Sequence, residues 1–140
     1  MTIKEVEHQI IEEFALFTDW MDKYEYLIEL GKSVPIISES AKLDSNLIKG
    51  CQSRVWLDAE FNDGRIFLKA DSDAVITKGI ISLLIRLLSG RTAQEILDAN
   101  LDFIKEIGLQ ENLSPTRANG LLSMIKQIKI YAMAFSATKK

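Results

Sequence analysis

Apolar residues fall into a helical rhythm at the start of the chain. Val6, Ile10, Phe14 and Phe17 recur three or four positions apart, and Glu5, Glu12 and Glu13 occupy the other side. That spacing predicts an amphipathic helix. Asp19 is a suitable cap for a second helix carrying Tyr24, Leu27 and Ile28, which should end near Gly31. Val34-Pro35 prevents any continuation, because the residue before a proline is pushed out of the helical region. From Ser38 to Ser53 polar residues dominate without a sustained period, which predicts a long ordered loop. Long loops in compact domains are uncommon and often functional, so this stretch is the first place to look for a site.

The pattern then changes to alternation. Asp63-Gly64 is a two-residue hairpin turn signal, since both turn positions require positive φ. Closing a hairpin there pairs Phe61 with Ile66, Ala59 with Leu68, and Leu57 with Ala70, all apolar and on one face. The other face pairs Asn62 with Arg65, Glu60 with Phe67, and Asp58 with Lys69. One side of the sheet should therefore be covered and the other wet. Trp56 and Phe67 fall on the wet face, where either a C-terminal segment covers them or they form a contact patch.

Asp71-Ser72-Asp73 offers cap residues for a helix over Val75–Leu88, which is apolar nearly all round and should be central. Ser89-Gly90 ends it, and Thr92-Ala93-Gln94-Glu95 reads as a capping box opening a short helix. Another short helix is expected from about Asp102 to Gly108. Ser114-Pro115 supplies a cap and a first-turn proline for the last helix, whose buried stripe is Leu121, Ile125, Ile128 and Phe135. No repeat, low-complexity tract or linker interrupts the pattern. The expected fold class is α+β, a single domain over residues 1–140 with a small antiparallel sheet packed against several helices.

Composition narrows the function. At 140 residues and 47% apolar, the chain can bury a core without disulfides or a structural metal. Its 17 basic and 20 acidic side chains leave a net charge of −3, with neither a basic face for nucleic acid nor a polybasic membrane patch. The N-terminus is charged and lacks the apolar stretch of a secretory signal. The greasiest segment, Val75 to Leu88, is interrupted by Lys78 and Arg86 and falls short of the roughly 20 residues a membrane helix needs. One cysteine cannot form an internal disulfide, so a reducing cytoplasm is the expected compartment.

Counting also removes most chemistries. One histidine and one cysteine cannot make a zinc set or a four-thiolate cluster site, and no phosphate-binding glycine motif is present. No resident metal or cofactor is therefore expected. His8 lies about 200° around its helix from Val6, at roughly 100° per residue, and reads as a solvated surface histidine rather than a base for the cysteine. The remaining candidate is Cys51, although an isolated cysteine is more often a small buried hydrophobe. Its context points the other way. It follows Gly50, sits between a polar loop and a strand, and has no apolar periodic neighbours in sequence. Lys49 and Arg54 flank it, and nearby cations lower a thiol pKa.

Gly50-Cys51-Gln52-Ser53-Arg54-Val55-Trp56-Leu57 resembles the active-loop signature of the SufE/CsdE family of sulfur acceptors. The likeness continues in Ala70-Asp71-Ser72-Asp73-Ala74-Val75-Ile76-Thr77-Lys78-Gly79 and in Leu113-Ser114-Pro115-Thr116-Arg117-Ala118-Asn119-Gly120-Leu121. Three motifs in the family's order extend it from Trp20 to the last helix. One departure is Asn112, where the family commonly has histidine just before Leu-Ser-Pro. If that histidine assists proton transfer in relatives, this chain does without it.

The resemblance implies a SufE/IscU-like fold and a task. The protein would dock on a PLP-dependent cysteine desulfurase, stimulate it, take the outer sulfur of its persulfide, and pass it to an iron–sulfur assembly complex. Cys51 would be the acceptor, Gly50 and Gln52 would shape its loop, and Asp73 and Arg117 would face the partner or hold the loop. PLP belongs to the partner alone, and a homodimer is compatible with the sequence. The expected activity is that of a sulfurtransferase-type accessory protein. Two other readings stand beside it: a non-catalytic scaffold or binding module with an inert cysteine, and a solitary thiol enzyme, against which the missing base argues.

Overall fold

A computed structural model describes residues 1–51, 53–109 and 113–138; Gln52 and Asn112 lie outside the described residues. Its elements are α1 (Ile3–Ala15), α2 (Trp20–Gly31), two 3-10 turns (Glu39–Ala41 and Asp44–Asn46), β1 (Val55–Asn62) and β2 (Arg65–Ser72). Among the described residues there follow α3 (Val75–Leu88), α4 (Ala93–Asp98), α5 (Phe103–Glu106) and α6 (Pro115–Thr138).

The hairpin has the register the turn dictates. Phe61 pairs with Ile66, Ala59 with Leu68, and Leu57 with Ala70 in a two-stranded antiparallel sheet. Asp63 at φ 55° and Gly64 at φ 80° make the turn, as a primed hairpin loop requires. Loops bond to both outer edges. On the β2 edge the Ile37 N–H donates to the Ala70 carbonyl and the Ala70 N–H to that of Pro35. Nearer the turn, the Ile66 N–H donates to the Arg91 carbonyl, and on the β1 edge the Ile48 N–H donates to Val55. The polar loop is thus stitched to the sheet, and edges that would template aggregation are occupied. Trp56 lies half-buried under the loop's Lys42, whose Nζ is 5.3 Å from the indole centroid.

Helix α3 is the central one, burying Ile80, Ile81, Leu84 and Leu87 almost completely. Each such side chain contributes about 1.5–3 kcal/mol. Helix α2 crosses α3 very closely at two glycines, since a Cβ on Gly31 would lie 2.9 Å from the Gly79 nitrogen. A Cβ on Gly79 would collide with the Leu27 carbonyl oxygen. Helix α6 covers the apolar face of the hairpin, where Phe135 stacks on Phe61 at 5.2 Å and the Tyr131 hydroxyl donates to the Leu57 carbonyl at 3.1 Å. Its buried seam includes Leu121, Met124, Ile128 and Ala132; the expected Ile125 and Phe135 flank it half-covered.

Asp19, Thr92 and Ser114 all accept hydrogen bonds from backbone N–H groups at the starts of their helices. The expectation that Asp71, Ser72 or Asp73 caps α3 does not hold. Ala74 takes the N-cap position and offers no side-chain acceptor to the first turn. The three polar residues precede the helix by too much and serve other partners. Phe17, expected on the α1 stripe, lies beyond the last turn and packs on Tyr26 at 5.2 Å instead.

Candidate functional site

The segment Lys49–Arg54 is closed at its base, where the Ile48 N–H donates to the Val55 carbonyl at 2.8 Å. On its C-terminal side, Asp73 Oδ1 accepts the Arg54 N–H at 3.0 Å. The Arg54 carbonyl accepts from the Ser72 hydroxyl at 2.8 Å and from the Asp73 N–H at 3.2 Å. Neighbouring Asp71 pairs with Lys42 at 2.7 Å and Lys78 at 3.3 Å, linking the earlier loop to α3. Asp73 therefore holds the loop. On the N-terminal side Gly50 has φ 93°, and a Cβ there would also run into the Ser123 hydroxyl of α6. Glycine meets both demands, positive φ and close approach.

Cys51 is half-buried, with its Sγ 3.6 Å from the Gly120 carbonyl of α6. Gly120 places no side chain beside the sulfur, where a Cβ would stand in contact at 3.4 Å. The sulfur borders a cavity of about 290 Å³. Thr77 and Ile80 of α3 form one wall, and Arg117, Gly120 and Met124 of α6 form another. Arg117, near the start of α6, thus shares a cavity with Cys51, while its own N–H is taken by the Ser114 hydroxyl at 3.3 Å.

The thiol's electrostatics differ from expectation. Lys49 and Arg54 are exposed, and burial pushes the Cys51 thiol up from its ordinary value, opposite to the depression expected from flanking cations. Cys51 also packs against the core, although its sequence neighbours are polar. Desolvation by α6 and α3 outweighs the charges because those side chains point into water, which screens them. Iodoacetamide alkylation of the free folded protein should therefore have a pH midpoint above the roughly 8.5 of an ordinary thiol. A midpoint at or below that of a denatured control would contradict the burial seen here.

Sequence reasoning passed over Thr77, Gly120 and Ser123, though Gly120 carried a signal. A glycine in the middle of a helix costs about 1 kcal/mol against alanine and usually marks a close approach. Thr77 is an inconspicuous residue on a greasy helix, and only its position against the cavity distinguishes it. His8 is exposed on α1 and does not line this cavity. Among the described residues no group of three histidine, cysteine or acidic side chains could hold a metal, and no helix is long and apolar enough to cross a membrane.

A two-stranded hairpin backed by helices, with one thiol set in an anchored loop at the head of the last helix, defines the class. The chain belongs to the SufE family: the model of that family, described as an Fe-S metabolism associated domain, matches residues 8–132. A SufE-like protein of Rhizobium meliloti is 44% identical, over 86% of this chain and 90% of that protein. One from Synechocystis is 39% identical, over 91% of this chain and 80% of its own. SufE-like protein 1 of Arabidopsis thaliana, chloroplastic/mitochondrial, is 40% identical over 89% of this chain but 34% of that longer protein. The fold is shared with a solution structure of a hypothetical protein from Thermus thermophilus, at TM-score 0.75 and 21% identity, covering 92% of this chain and 94% of that one. The family places the protein in iron–sulfur metabolism.

Proposed function

We propose that the protein is a persulfide carrier: Cys51 takes sulfur from a cysteine desulfurase, stimulates that enzyme by relieving it of sulfur, and delivers the sulfur to an iron–sulfur assembly complex. The observation that carries this reading is a lone thiol at the border of a cavity, on a loop closed at its base and tied to Asp73. Transfer requires a thiolate to attack the outer sulfur of the donor's persulfide. The new S–S bond forms as the donor's breaks, and the electron pair leaves on the donor cysteine. No net oxidation occurs, and no base or metal of this chain is needed. Because burial disfavours the thiolate in the free protein, partner docking has to help expose or ionise it. The PLP stays with the desulfurase, and a reducing cytoplasm suits the exchange.

Intact mass after incubation with an active cognate desulfurase and cysteine tests this directly. One or more additions of about 32 Da, removable by reductant, are expected. An unchanged mass would leave the protein a scaffold with an inert cysteine. Arg117 supplies a cation on the Cys51 cavity, suited to an attacking thiolate or an acidic group of the partner. Arg117→Ala should slow transfer while moving stability by no more than about 0.5 kcal/mol, because the side chain is exposed. Arg117→Lys should recover part of the rate. Unchanged transfer by the alanine variant would make Arg117 an ordinary surface residue.

A further inference from the structure

Thr77 is the polar side chain most deeply placed among the described residues, 7% exposed near the start of α3. No described residue holds its hydroxyl in a hydrogen bond, and it borders the cavity beside Cys51. Its oxygen is not sealed off, because it opens on the cavity, so the hydroxyl is free to donate to a group placed there. On the α6 side of the same cavity, Gly120 leaves open the space beside Sγ that a Cβ would occupy at 3.4 Å. The two features are complementary: one leaves room for an extra atom next to the sulfur, and the other offers a donor to it.

We infer that the cavity is the seat of the outer sulfur of the Cys51 persulfide, with the Thr77 hydroxyl donating to that sulfur and Gly120 making room for it. This deepens the carrier reading and rests on it. The persulfide forms as described above, with one S–S bond made for one broken, and its outer sulfur ionises by releasing a proton to water. Thr77 is then a positioning residue that favours the anionic form. Among the described residues bordering the cavity only Arg117, from α6, carries a fixed charge; the α3 wall and Ser53 carry none.

The test uses the full chain loaded from a small-molecule donor, cysteine persulfide, so that no desulfurase is required. Mass spectrometry reads the pH midpoint for iodoacetamide capture of the outer sulfur. Losing a hydrogen bond to a charged group should raise that midpoint in Thr77→Val by about one unit, tenfold in the ionisation constant. Thr77→Ser should restore it. The thermal midpoint of Thr77→Val should stay nearly level, because the change is close to isosteric and no hydrogen bond within the protein is lost. Gly120→Ala should likewise keep its thermal midpoint, since alanine favours helix, yet load several-fold less sulfur. A wild-type chain that loads sulfur, together with a Thr77→Val chain of identical midpoint or a Gly120→Ala chain of identical load, overturns this inference alone. A wild-type chain that gains no sulfur from either donor overturns the carrier reading and this inference with it.

Discussion

Cys51→Ser will reduce sulfur acceptance from a cysteine desulfurase to the assay background while the protein stays folded. The hydroxyl is isosteric enough for the site: Sγ is half-buried against the Gly120 carbonyl, which can accept from a serine as it does from the thiol. The expected stability change is within about 1 kcal/mol, typical of a substitution that neither opens a cavity nor strands a charge. The chemical change is total by comparison. A serine oxygen cannot carry a persulfide, and Cys51 is the one cysteine in the chain, so no second thiol can substitute. The measurement is radiolabelled or mass-detected sulfur on the protein, with stimulation of alanine release by the desulfurase as a second readout. Retention of either at the wild-type level would mean that sulfur does not pass through this residue.

The second large effect is expected where the two central helices cross. Gly79→Ala should destabilise the protein by about 1–3 kcal/mol, an overpacking cost, despite alanine's better helix propensity of about 1 kcal/mol. At the α2–α3 crossing the new Cβ would meet the Leu27 backbone, with Leu27 Cα at 3.2 Å in addition to the carbonyl oxygen. Backbone cannot rotate away as a side-chain tip can, so the two helices must separate. Separation would loosen the seam that buries Leu27 and Ile81, both fully covered. The thermal midpoint should fall on the order of 5–10 °C in a domain of this size. An unchanged or raised thermal midpoint would show that the crossing has slack.

Both positions illustrate how differently local and distant information act. The hairpin register was legible because alternation has a period of two and Asp63-Gly64 admits one closure. Helix starts at Asp19, Thr92 and Ser114 were legible because a cap bonds within three residues of itself. The same local logic failed at Asp71-Ser72-Asp73. There the side chains have cap chemistry, but the returning Cys51 loop and two lysines compete for them. A short polar side chain bonds to whichever backbone comes within reach, and that is decided by the tertiary fold.

Cys51 shows the same division. Its uniqueness, its glycine neighbour and its place between loop and strand are properties of the chain, as is the likeness to SufE that the family match bears out. Its environment is not. Lys49 and Arg54 are adjacent in sequence but turn into solvent, whereas Gly120, 69 positions away, packs against the sulfur. The thiol's proton affinity follows burial by α3 and α6 rather than the charges beside it. Adjacency along the chain sets which groups are near in covalent distance. Solvent exclusion depends on which surfaces the helices bring over the loop, so the sequence alone determined the candidate nucleophile and the hairpin, and only the tertiary structure decided the cavity in which that sulfur works.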